Sequence, residues 1–189
     1  MEKTIKISDV IKLVAMVLNM GEVLDYLKSP STVTGEGKQM AEKLLSITEM
    51  LVSETAIDQF PVIRTDTGYN KVGKTSFVSM VQPPIKIVDV IGTNQKSIEY
   101  ELLSDGFVTK EPVVKIIYQY IPTNLKIEGS LIFDNPKVNA SLFAKGVIAE
   151  YLLSIFDFDG AVAWHEKFIK SVKKCFAPTN VKTPKRSWV

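Results

Sequence analysis

The segment GYNKVGKTS, residues 68–76, places Gly68, Gly73, Lys74 and Thr75 at the fixed positions of the phosphate-binding pattern G-x-x-x-x-G-K-[ST]. In a working phosphate loop, backbone amides surround the phosphates, the lysine reaches the outer ones and the hydroxyl holds Mg²⁺. That geometry needs a buried parallel strand leading in and a helix leading out, whose N-terminus supplies unpaired donors and a favourable dipole. The flanks predict neither. IRTDT (63–67) is polar where a central parallel strand should be nearly continuously apolar. SFVSMVQ (76–82) alternates like a strand and meets Pro83 and Pro84 within two helical turns. IKIVD (85–89) mimics a Mg²⁺-binding Asp strand but follows too closely for an intervening helix. The segment therefore reads as a Gly- and Lys-rich loop or hairpin turn, and no cofactor is expected. The alternative, a P-loop enzyme working through Lys74 and Thr75, predicts Mg²⁺-dependent nucleotide binding that Lys74→Ala abolishes.

Other residues with chemical potential are few. His165 is the only histidine, and it falls on the apolar face expected for the last helix. Catalysis would require a nucleophile or an orienting carboxylate beside it. Glu166 points elsewhere on a helix and Cys175 lies nearly three turns away, so His165 reads as a hydrogen-bonded core or interface residue. Cys175 reads as a small buried hydrophobe near a helix end. Asp157 and Asp159 read as helix caps rather than acid–base or metal groups. No metal site and no catalysis are expected. The C-terminal PKRSWV is different. Lys185, Arg186 and Trp188 combine the residue types that most often carry interface energy, which makes Trp188 a candidate partner anchor and the basic pair its guide. The alternative is a disordered or self-packed tail.

Composition frames these readings. At 189 residues the chain can bury one sizeable core, and its 46% hydrophobic and 23% charged residues are ordinary for a globular protein. A net charge of +2 does not by itself imply nucleic-acid binding. One cysteine excludes an internal disulfide framework and a multi-Cys metal site. No secretory signal is read, and no segment approaches the ~20 apolar residues of a membrane-spanning helix.

The elements follow from periodicity. A helix capped by Ser8 is expected to about Met20, then a short helical piece GEVLDYLK, then a loop STVTGEGK. From about Glu36 to Glu54 an amphipathic helix is expected, with Met40, Leu44, Ile47 and Leu51 on its buried side beside Ala41, Leu45 and Val52. Between Ile57 and Leu131 the β-branched and aromatic runs IKIVDVI, KSIEYELL and VVKIIYQYI predict four to six short, mainly antiparallel strands. Turns fall at 92–94, 104–106 and 122–124. Helical period returns at Asn135-Pro136, read as a cap and first helical residue, with Leu142, Ile148, Leu152 and Ile155 buried. A last helix is capped by Asp157 or Asp159, with Ala161, His165, Phe168, Val172 and Cys175 on one face and lysines near its end. The fold class expected is α+β. N- and C-terminal helices (about 1–56 and 135–177) form a bundle, with a β-rich insert (about 57–134) and an extended tail (178–189).

With these landmarks placed, the chain resembles the tailed-phage head–tail connectors of the tail tubular protein A, or gatekeeper, type. The likeness spans most of residues 36–189. It rests on LLSITEMLVSETAIDQFP, on the strand series PPIKIVDV, SDGFV and KIIYQYIP, and on the helical pair SLFAKGVIAEYLLSIFDFDGAVAWHEKFIKSV closed by KRSW. The phosphate-loop match is not part of the family pattern, and residues 1–35 look less typical. The resemblance implies a virion structural protein of the neck, assembling as a homo-oligomeric ring, commonly twelvefold, between the portal protein and other tail proteins. Such a ring forms part of the DNA channel without sequence-specific DNA binding and without a membrane. A peptide-binding module offering a sheet edge is a further alternative.

Overall fold

The computed structural model describes residues 2–30 and 35–177. The fold is α+β, with helices from both ends of the chain gathered on one part of an antiparallel sheet. In chain order the elements are β1 (Lys3–Lys6), α1 (Ile7–Val17), α2 (Gly21–Lys28), α3 (Glu36–Asp58), β2 (Val62–Ser76), a 3-10 turn (Phe77–Ser79), β3 (Pro84–Gly92), β4 (Tyr100–Leu103), β5 (Gly106–Tyr120), β6 (Ser130–Phe133), α4 (Ala140–Ser154) and α5 (Phe158–Phe176). The sheet runs β1-β6-β2-β5-β3, with β4 pairing the opening residues of β5.

The N-terminus departs from the sequence reading. Residues 3–6 pair with β6 from Lys3↔Phe133 to Lys6↔Ser130 and join the sheet. The helix therefore begins at Ile7, whose amide donates to the Gly129 carbonyl at 3.0 Å. Lys6, not Ser8, is the N-cap, and its side chain makes no capping bond. A four-residue strand flush against a helix has too short a period to register in sequence.

The helical half has the larger core. α4 is buried on more than one side, at Leu142, Phe143, Ala144, Val147, Ile148, Tyr151 and Leu152, as the central helix of a bundle must be. It packs against α5, α1 and α3. Phe143 meets Phe133 of β6 at 5.1 Å and Phe60 at 6.1 Å, and Phe60 stacks on Phe176 at 5.5 Å. Phe60, Phe133 and Phe143 are fully buried where sheet meets bundle, each contributing about 1.5–3 kcal/mol. Along α3, Leu44 and Leu51 are buried as expected, while Met40, Leu45 and Ile47 pack only partly into the core. The Glu49 carboxylate accepts from the Asn124 and Leu125 amides, both at 2.9 Å, stapling α3 to the β5–β6 connection.

Both ends of α4 also differ from the sequence reading. The helix begins at Ala140, capped by Asn139, whose Oδ1 accepts from the Leu142 amide at 3.0 Å. Asn135 instead accepts from Lys137 in a local turn. Ile155, expected on the buried side, follows the end of α4 and is exposed. Asp157 caps α5 as expected, accepting from the Gly160 amide at 3.0 Å.

Candidate functional site

The phosphate-loop residues sit inside a strand. β2 and β5 run antiparallel for fifteen residues each, a ribbon of roughly 45 Å at about 3.3 Å per residue. GYNKVGKT lies within it, with Gly73↔Thr109, Lys74↔Val108 and Thr75↔Phe107 in register. The reading of a loop or hairpin turn is corrected accordingly. The glycines serve irregularities of the ladder, with register shifts between Thr67 and Gly73 and φ of +92° at Gly68 and +98° at Gly73. A residue without Cβ adopts that backbone at little cost. The chain leaves β2 through a 3-10 turn of three residues, so neither a parallel strand nor an outgoing helix flanks the pattern. The expected strand in SFVSMVQ gives way to this turn. Lys74 Nζ is held by Asp105 Oδ2 at 2.7 Å on the neighbouring hairpin, and the Thr75 side chain is buried.

A polar cluster that sequence reasoning missed does organise this half. Asp66, only 5% exposed, accepts from Arg64 Nε at 2.8 Å, the Tyr118 hydroxyl at 2.9 Å, the Val81 amide at 3.0 Å and the Tyr69 hydroxyl at 3.4 Å. Tyr118 in turn accepts from the Gln82 amide at 3.2 Å. The cluster pins the connection from the 3-10 turn to β3 across the ribbon, above the smaller core of Ile87, Val90, Phe107, Val113 and Ile116. Burial alone would push the Asp66 carboxyl up. The Val81 amide, Arg64 and Tyr118 outweigh it and hold the carboxyl below its ordinary range. Burial, reinforced by Asp66, pushes the Tyr118 phenol up. Asp66 is thus an anion held by four donors, a structural anchor of this half.

Among the described residues, His165 and Cys175 lie ten positions apart on α5 and are not brought together. His165 is exposed, which excludes the core half of the core-or-interface reading and leaves the interface half, and its ring lies 6.4 Å from Phe168. Cys175 is buried as expected, against the Lys137 carbonyl at 3.6 Å. Burial pushes its thiol up, away from the reactive thiolate. Among the described residues no group of three His, Cys, Asp or Glu is placed to hold a metal ion. Lys185, Arg186 and Trp188 lie outside the described residues.

Exposed apolar residues occur on α1 and α3 (Met16, Val17, Met50 and Ile57), at Ile121 and Phe176, and in two larger sets. At the turn between α4 and α5, Leu153, Ile155, Phe156, Phe158 and Val162 are all exposed, with Phe156 at 79% and its ring 6.3 Å from that of Phe158. Phe156 also has φ +63°. Its amide and that of Asp157 bond back to Leu153 and Leu152, closing α4 with the left-handed residue that such helix ends normally make glycine. The second set belongs to the β half, with Val72 on β2, Val78 and Val81 around the 3-10 turn, Ile85 and Val88 on β3, and Leu102 on β4. Among the described residues β3 is an edge strand, laddered to β5 on one side and bonded on the other only near its end, where Val90 and Gly92 meet residues 96–98. A comparison with protein-family models and with curated proteins finds no match.

Proposed function

We propose that this protein is a virion structural protein that assembles head-to-tail into an adaptor ring between portal and tail, forming part of the DNA channel. The place in a phage neck rests on the resemblance over residues 36–189, and the observation that supports an interface is Phe156. A bulky aromatic in a left-handed conformation costs about 1–2 kcal/mol, and here it gains nothing from burial. A residue kept there against both sterics and hydration fits a surface that another protein covers.

The two apolar sets fit the same reading. A heterologous ring needs two different surfaces on each subunit, one to meet the neighbour on either side. The helical-hairpin tip of one copy, seated against the β half of the next, meets that requirement, and the edge of β3 ahead of Val90 adds backbone groups for pairing. A net charge of +2 suits a lumen that passes DNA without gripping it. In this reading Lys185, Arg186 and Trp188 contact a partner in the neck.

The test is quantitative mass spectrometry of purified virions from a phage encoding this chain. The expected result is a fixed copy number per particle equal to that of a ring, sharply reduced when residues 185–189 are deleted while the deleted protein still folds. Virions that contain none of the chain would overturn the reading. Normal incorporation of the deletion would remove the tail from it.

A further inference from the structure

We infer that the groove between α3, α4 and α5 is the docking site for this chain's own C-terminal segment, residues 182–189. Two adjoining depressions share Glu150 and His165. One, of about 220 Å³, runs between α4 and α5 past Leu153 and Val162, and the other, of about 210 Å³, continues to the end of α3. The walls are largely apolar and the rim is acidic, with Glu54 and Asp58 from α3, Glu150 from α4 and Glu166 from α5. Neither depression is lined by a lysine or arginine. Of the four carboxylates only Glu166 has an ion-pair partner among the described residues, Lys170 at 3.6 Å on an exposed helix face.

Residues 182–189, KTPKRSWV, are the complement. Lys182, Lys185 and Arg186 have no acidic residue among them in the sequence, and Trp188 and Val189 supply the apolar end. Length agrees with charge. Trp188 is eleven residues beyond Ala177, a reach of up to about 36 Å. His165, at the waist of the groove, lies twelve residues back along the α5 direction, about 18 Å. A tether of that slack gives an effective concentration on the order of millimolar, so docking within the chain precedes docking on another molecule. The indole fills the apolar trough and the cations meet the carboxylate rim. Docked in this way, the segment is withheld from partners until something displaces it. The inference does not require the ring to form.

Trp164 and Trp188 are the only tryptophans, so full-length chain carrying Trp164→Phe reports on Trp188 alone. Its fluorescence is compared with that of a free peptide of residues 178–189. Docking predicts emission blue-shifted from the peptide and weaker acrylamide quenching, both independent of protein concentration. Both should be lost on raising ionic strength from about 0.05 M to about 0.5 M. Glu150→Lys, and separately the surface-placed Asp58→Lys, should return Trp188 towards peptide values with helical circular dichroism unchanged. Peptide-like fluorescence in the parent chain, or burial indifferent to both charge reversals, would overturn the inference. Burial that grows with concentration would also overturn it, by placing the segment on another copy. Ring formation is read separately, as particle mass, so either reading can fail alone.

Discussion

Among single residues, Asp66 and its four donors tie β2, β5 and the connection to β3 together. The native carboxyl sits below its ordinary value, so its stabilising effect is complete above the unfolded pKa of about 3.9 and is lost as pH falls through the lower folded value. Asp66→Asn keeps the shape but removes the charge that Arg64, Tyr118 and Val81 address. A loss of about 1–3 kcal/mol is expected at neutral pH. Denaturant midpoints measured from pH 6 to pH 2 should fall less steeply below pH 4 in the variant than in the parent. Equal slopes would remove Asp66 from the acid response. RTDTGY holds Arg64 and Tyr69 beside Asp66 but not the rest of the cluster, because Tyr118 lies fifty-two residues away and pairing of β2 with β5 brings it there.

Among the elements, α4 and α5 show where periodicity informs and where it stops. Leu142, Ile148 and Leu152 repeat at helical spacing and are buried, as Phe168, Val172 and Cys175 are on α5. The pattern then runs on into Ile155 and Phe156, where the helix has already closed. A hydrophobic pattern does not distinguish a residue facing its own core from one offered to a neighbour. Phe156→Gly separates the two roles. Glycine relieves the left-handed backbone, so the variant should be more stable by about 1 kcal/mol in chemical denaturation. It should also assemble worse, read as incorporation into particles. Loss of stability would mean that the phenyl group is held by its own chain; unimpaired incorporation would exclude the hairpin tip from the interface.

Taken as one body, the chain exposes apolar residues on both halves, and the proposed head-to-tail ring uses one set from each. Phe156→Asp disables the hairpin tip and Leu102→Asp the β half, leaving the opposite surface intact in each. Head-to-tail association predicts that each variant alone stays monomeric under conditions where the parent associates. An equimolar mixture should give a dimer and nothing larger, as measured by sedimentation velocity. A self-complementary interface would instead let one of the single variants form its own dimer.

Local patterning suffices for the α+β class, the helices at either end, the start of α3 at Glu36 and strand in each of the three hydrophobic runs in the middle, though in KSIEYELL only Tyr100–Leu103 form one. It also suffices for α5, from the Asp157 cap to Lys173 and Lys174 in the last turn. These features depend on periodicity, on turn chemistry and on side chains that bond within a few residues of themselves. Partners distant in the chain settled the rest. Pairing with β6 turned residues 3–6 into a strand, although their own period is too short to specify one. Pairing with β5 drew GYNKVGKT into a fifteen-residue strand and set Lys74 against Asp105, thirty-one residues away. Ladder hydrogen bonds are made to another segment, and a local pattern holds no information about which segment that will be.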